Sequence, residues 1–123
     1  MNETKVFTSS FTGLEYKIRH HYTCKSSWVI YFVTCTKCEK QYVGKTTDSM
    51  HKRHTGHRQE IDNELTPLGR HFSSCGYSFF SVIVIDSVKP GEHEALCIKE
   101  GIWQNRLATF LENGYINVRN EMK

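Results

Sequence analysis

The sequence predicts a small α/β domain, a central antiparallel sheet of about three strands flanked by helices. Residues 28–33 (WVIYFV) form an unbroken β-branched and aromatic run. A polar turn over 34–40 separates it from a short returning strand over 41–44, so the two read as a hairpin. Residues 79–85 (FFSVIVI) are the most apolar stretch and predict another strand, expected at the centre of the sheet. Residues 92–111 predict the longest helix, with Ala95, Leu96, Ile98, Ile102, Trp103 and Leu107 as its buried stripe.

The remaining elements follow from local chemistry. Residues 1–12 are polar and rich in Ser and Thr, and read as a loose arm. Residues 14–18 (LEYKI) alternate apolar and charged, as an edge strand does. Together 1–27 form an arm and edge strand ahead of a domain over 28–123. Thr46, Thr47, Asp48 and Ser49 offer helix N-caps. A helix over 49–63 would place Met50, Arg53, His54, His57 and Ile61 on one side. Thr66-Pro67 opens a short helix through His71 and Phe72 that ends near Gly76. Lys89-Pro90-Gly91 makes a turn, and 114–119 a short closing segment.

A chain of 123 residues favours one folded domain. No apolar run approaches the roughly 20 residues needed to span a bilayer, so no membrane partner is expected. MNETKVFTSS lacks the apolar stretch of a secretory signal. The expected setting is nuclear or otherwise intracellular, as a free protein or an excised domain. The net charge of +3 permits nucleic-acid binding without requiring it. Lys17, Arg19, His20 and His21 form one basic cluster; His51, Lys52, Arg53, His54, His57 and Arg58 form another. A solvated face explains either as readily as a phosphate-binding one.

Five cysteines in an intracellular chain argue against a disulfide framework. Cys35 and Cys38, spaced C-x-x-C in the hairpin turn, are half of a zinc site. The returning strand leads away from that turn and the next helix leads back. Residues after that helix can therefore reach the cysteines, which makes His71 the third ligand and His54 or His57 the fourth. Cys24 is separated from the turn by its strand. Cys75 and Cys97 read as small buried hydrophobes. The competing reading is two reduced thiols in a loop.

The order of motifs over 28–118 resembles the GIY-YIG nucleases. Val29-Ile30-Tyr31 stands at the first motif, with valine for the usual glycine, and Tyr42-Val43-Gly44 at the second, followed by Lys45-Thr46. Arg53 lies nine residues after Gly44, and His57 one helical turn later. Glu100 in Glu-x-x-Trp, and Gly114-Tyr115-Ile116-Asn117, resemble the closing motifs, the last with one residue inserted. The C-x-x-C between the tyrosine motifs, with Cys24-Lys-Ser-Ser-Trp-Val-Ile-Tyr and Pro67-Leu-Gly-Arg-His-Phe, is similar to the endonuclease domain of Penelope-like retroelements.

The resemblance implies a metal-dependent DNA endonuclease, nicking or cleaving at retroelement target sites, with a reverse transcriptase domain in the same polyprotein as an expected partner. Glu100 would hold Mg²⁺ or Mn²⁺, and Arg53 would neutralise charge on the phosphate. Tyr31 and Tyr42 would orient the attacking water. A phenol of pKa near 10 needs a neighbour to take its proton, and His57 and Lys45 are placed to do so. Asn117 would hold the phosphate or the site geometry. Read without the resemblance, Tyr31 is a core tyrosine with a satisfied hydroxyl, Arg53 a surface arginine and Glu100 a solvated helix residue. The alternatives are a catalytically silent, zinc-clipped DNA-binding module and a structure-selective repair nuclease.

Overall fold

The protein is described by a computed structural model covering residues 6–18, 20–63, 66–110 and 115–117. Gly114 of the closing segment and Arg19 of the first basic cluster lie outside the described residues. One antiparallel sheet of order β4-β3-β5 organises the molecule, from β3 (Val29–Cys35), β4 (Gln41–Thr46) and β5 (Phe80–Ser87). Alternation along β3 sends Val29, Tyr31 and Val33 to one face and Ile30 and Phe32 to the other. The first set packs with Met50 of α1 (Met50–Asn63) and with Leu68 and Phe72 of α2 (Pro67–Cys75). The second packs with Leu96, Trp103 and Leu107 of α3 (His93–Leu107).

The hairpin and its flanking helices agree with the sequence reading; the centre of the sheet does not. β3 is central, because it is paired on both edges and buried at six of its seven positions. The FFSVIVI segment is an edge strand that begins at Phe80, since Phe79 belongs to the 3-10 turn Tyr77–Phe79. β3 starts at Val29, one residue after the expected start, because Trp28 is left-handed at φ 54°.

The loose arm is also corrected within its described residues, 6–12; residues 1–5 lie outside them. β1 (Val6–Thr8) pairs antiparallel with β2 (Glu15–Lys17) in a separate small sheet. Phe7 is buried, with its ring centroid 5.7 Å from that of Phe32 and 5.3 Å from that of Trp103. A strand of three residues is too short to show a period, and only a tertiary partner identifies it.

Caps set the helix starts near the active face. Ser49 Oγ accepts the amide of Lys52 at 3.3 Å, and Thr66 Oγ1 that of Gly69 at 3.0 Å. Gly76, at φ 106°, closes α2. α3 stops at Leu107 rather than continuing to 111, because Ala108 turns left-handed. Its buried stripe is Leu96, Glu100, Trp103, Gln104 and Leu107. Ile98 and Ile102, expected inside, are 54% and 41% exposed. Ile98 lies two residues, about 200°, around the helix from Leu96. The stripe therefore continues through the polar Glu100 and Gln104.

Candidate active site

Tyr31 is fully buried on β3, directly opposite Gly44 on β4. A Cβ at Gly44 would lie 2.4 Å from the Tyr31 ring carbon Cζ and hydroxyl, so the glycine of Tyr42-Val43-Gly44 makes room for the phenol. Gly44→Ala should therefore displace Tyr31, lowering both any activity that needs its hydroxyl and the melting temperature. Parallel activity and thermal-melting measurements check this.

Two α1 side chains, one turn apart on one face, meet that hydroxyl. Arg53 Nε donates to Tyr31 Oη at 3.1 Å, and His57 Nε2 lies 2.7 Å from the same oxygen. His57 is fully buried. With the imidazole proton on Nδ1, Nε2 can accept a hydrogen bond from the phenol while Arg53 donates to the same oxygen. The basic cluster on α1 thus divides. Arg53 and His57 turn toward the sheet, whereas His51, Lys52 and Arg58 are exposed. His54 tilts against Phe80 at 5.2 Å, and burial pushes its pKa down, helped by His51 and Arg58.

The opposite wall comes from α3. Glu100 is 6% exposed and accepts from Lys45 Nζ at 3.1 Å. Tyr42 and Lys45 leave β4 on opposite faces, so a cleft lined by both sits at the outer edge of the sheet, where the helical layers meet. That cleft, about 140 Å³, is lined by Tyr31, Tyr42, Lys45, Arg53, Glu100 and Gln104. Five of the seven sequence-derived site residues line it directly. His57 stands behind Tyr31. Gln104 was missed, although it follows Glu100 by four residues, on the same helix face.

Asn117, the remaining residue, is fully buried and spans both polar groups of Val43. Its Oδ1 accepts from Val43 N at 2.7 Å and its Nδ2 donates to Val43 O at 3.0 Å. Thr109 Oγ1 also donates to Oδ1, at 2.6 Å. Of the two roles expected for Asn117, this geometry serves the second. It pins β4 between Tyr42 and Gly44 and does not line the cleft. Val29, where the resemblance has glycine, is fully buried in the core cluster beside Tyr31.

A glutamate-only carboxylate site fits a hard divalent cation, which keeps several waters and completes its shell with substrate oxygens. Glu100 is the sole carboxylate lining the cleft among the described residues.

The cysteines build a second site at the hairpin tip. Ligand atoms of Cys35, Cys38, His71 and Cys75 lie within 4.8 Å of one another, and Cys38 Sγ is 3.3 Å from His71 Nε2. This group could hold a metal ion. Tetrahedral zinc would place such atoms about 3.6–3.8 Å apart. Burial, then Lys40, pushes the His71 pKa down, which favours the neutral, ligating imidazole. Cys35, Cys38 and His71 converge as the sequence suggested, but the fourth member is Cys75, not His54 or His57. The correction has a simple cause: Cys75 follows His71 by four residues on one face of α2. The pattern C-x₂-C…H-x₃-C was present in the sequence. Cys24 and Cys97 are not part of this group.

No protein-family model and no curated protein matches the chain. Among solved structures, it is similar to the catalytic domain of the homing endonuclease I-TevI. The TM-score is 0.62 at 22% identity, covering 75% of this chain and 98% of that one. The likeness establishes a shared fold.

Proposed function

We propose that the protein is a metal-dependent DNA endonuclease of the GIY-YIG type, hydrolysing phosphodiester bonds. The observation that carries this reading is the convergence of Tyr31, Tyr42, Lys45, Arg53 and Glu100 on one cleft, on a fold shared with a homing endonuclease domain. Hydrolysis requires a deprotonated nucleophile and stabilisation of charge on the phosphate. Tyr31 orients and deprotonates the attacking water as His57 accepts the phenol proton. Arg53 holds the Tyr31 oxygen through Nε, and its guanidinium charge offsets the charge that develops on the phosphate. Lys45 holds Glu100 in place and adds positive charge. Mg²⁺ or Mn²⁺ bound at Glu100 would supply Lewis-acid stabilisation of the phosphate oxygens.

The Cys35, Cys38, His71, Cys75 group takes Zn²⁺, whose preference for thiolate and imidazole matches the donor set. Zinc here ties the hairpin turn to α2. Purified protein should carry about one zinc per chain, and Cys38→Ser and Cys75→Ser should each lose it and melt earlier. A metal-free wild type with an unchanged melting temperature rejects the zinc clip.

The zinc-clipped insertion between the tyrosine strands resembles the endonuclease domain of Penelope-like retroelements. We therefore assign the substrate to retroelement target sites inside the cell, with a reverse transcriptase domain as partner. Nicking of supercoiled plasmid with Mg²⁺ tests the enzyme reading. DNA binding without nicking supports the silent module instead.

A further inference from the structure

Two clefts border β4. The first is the candidate active site, lined along the strand by Tyr42 and Lys45. The second, about 340 Å³, is lined by Lys40, which leads into the strand, by Pro67, Arg70 and His71 of α2, and by Tyr115 and Ile116. Lys40 and Arg70 are exposed, and neither side chain has an ion-pair or hydrogen-bond partner among the described residues. No carboxylate lines this cleft among the described residues. Two cations held on one concave surface repel each other, and an anion between them relieves that repulsion. The Tyr115 hydroxyl, 2.6 Å from Ser10 Oγ, adds a polar group at the same cleft.

The cations are held by the architecture of the hairpin tip. Arg70 precedes His71, whose Nε2 lies 3.3 Å from Cys38 Sγ in the turn that carries Lys40. The cysteine-histidine group thus joins the turn bearing one cation to the helix bearing the other. Lys40 and Lys45 are separated by five residues of chain, about 16 Å at roughly 3.3 Å per residue. A B-form strand advances about 3.4 Å per nucleotide.

We infer that the Lys40–Arg70 cleft is a second backbone-phosphate subsite, which holds duplex DNA about five nucleotides from the phosphate beside Lys45 in the candidate active site. This rests on the nuclease reading above for its substrate. It adds a residue-level path for the DNA, along β4 from the catalytic cleft to the zinc-bearing tip.

The test measures duplex binding across a salt series, with Glu100→Gln as a non-cleaving parent and Lys40→Ala/Arg70→Ala added to it. Lys40 and Arg70 share one phosphate, and a lost phosphate contact lowers the slope of log affinity against log salt by about 0.9, so the double variant should lose about 0.9. Methylphosphonate substitution about five nucleotides to one side of the nick should weaken the parent and leave the double variant unaffected. Zinc content and melting temperature should not change, since both side chains are exposed. An unchanged slope with an unchanged methylphosphonate response overturns the subsite, as does failure of the parent to bind duplex. Plasmid nicking by the wild-type chain is scored separately. Nicking with an unchanged slope rejects the subsite and keeps the nuclease. A slope loss without nicking keeps the subsite and rejects the nuclease.

Discussion

Glu100→Gln is expected to abolish plasmid nicking, with a rate loss on the order of 10³-fold or more, while DNA binding stays within a few-fold of wild type. Glutamine is nearly isosteric and keeps an oxygen for Lys45 Nζ, now 3.1 Å from the carboxylate. Helix α3 and its packing through Leu96, Trp103 and Leu107 should survive. What disappears is the negative charge, and with it the hard anionic ligand that a divalent cation needs. Lys45 complicates the outcome in a measurable way. A buried ion pair that loses one partner leaves a charge without compensation, but the Lys45 side chain is 28% exposed and retains access to water. The melting temperature should therefore fall modestly. Nicking near the wild-type rate in the variant would remove Glu100 from the chemistry and reduce the Lys45–Glu100 pair to a structural contact.

Tyr31→Phe should lower the nicking rate by about 10²-fold or more, the usual contribution of a positioned base. The ring stays between Gly44 and α1, so the strand packing is kept. The hydroxyl that meets Arg53 Nε and His57 Nε2 is lost, which should cost about 1–3 kcal/mol of stability where buried polar groups lose a partner. His57→Ala separates two uses of that histidine. Its Nε2 lies on Tyr31, and Cys75 completes the metal group without it, so a rate loss with zinc retained is the expected result. Arg53→Ala should be at least as damaging as Tyr31→Phe, because it removes both support for the phenol oxygen and charge beside the phosphate. A Tyr31→Phe variant that cleaves at full speed would leave the phenol without a chemical role and move the search for a base to Tyr42 or Lys45.

The candidate residues of this site were legible in the sequence through the motif resemblance, and the elements that carry them through local signals. Tyr31 lies on the apolar first strand of the hairpin, Tyr42 on its returning strand, and Arg53 and His57 share a helix face by spacing alone. Gln104 and Cys75 carried the same kind of signal, each four residues after a recognised site residue; Gln104 was passed over because its residue type suggests no function by itself, and Cys75 was read as a small buried hydrophobe, whereas it is only half-buried. The stripe of α3 was misread for a related reason. Hydrophobicity alone favours Ile98 and Ile102 over Glu100 and Gln104, and only the neighbouring cleft makes burial of those polar groups favourable.

The sequence by itself determined the hairpin, the helix order and the C-x-x-C turn, since each follows from periodicity, capping and spacing along the chain, while the candidate cleft residues came from the motif resemblance. Tertiary structure decided the rest. It placed β3 rather than the more apolar β5 at the centre, because a central strand is defined by partners on both edges and not by its own hydrophobicity. It turned Val6–Thr8 of the polar arm into a strand by giving Phe7 the rings of Phe32 and Trp103 to pack on. It required glycine at position 44, because the Tyr31 phenol occupies the space of a side chain. It set His57 against the phenol and brought Cys75, rather than His54 or His57, to the group that could hold a metal. In each case the deciding quantity is a contact between residues far apart in the chain.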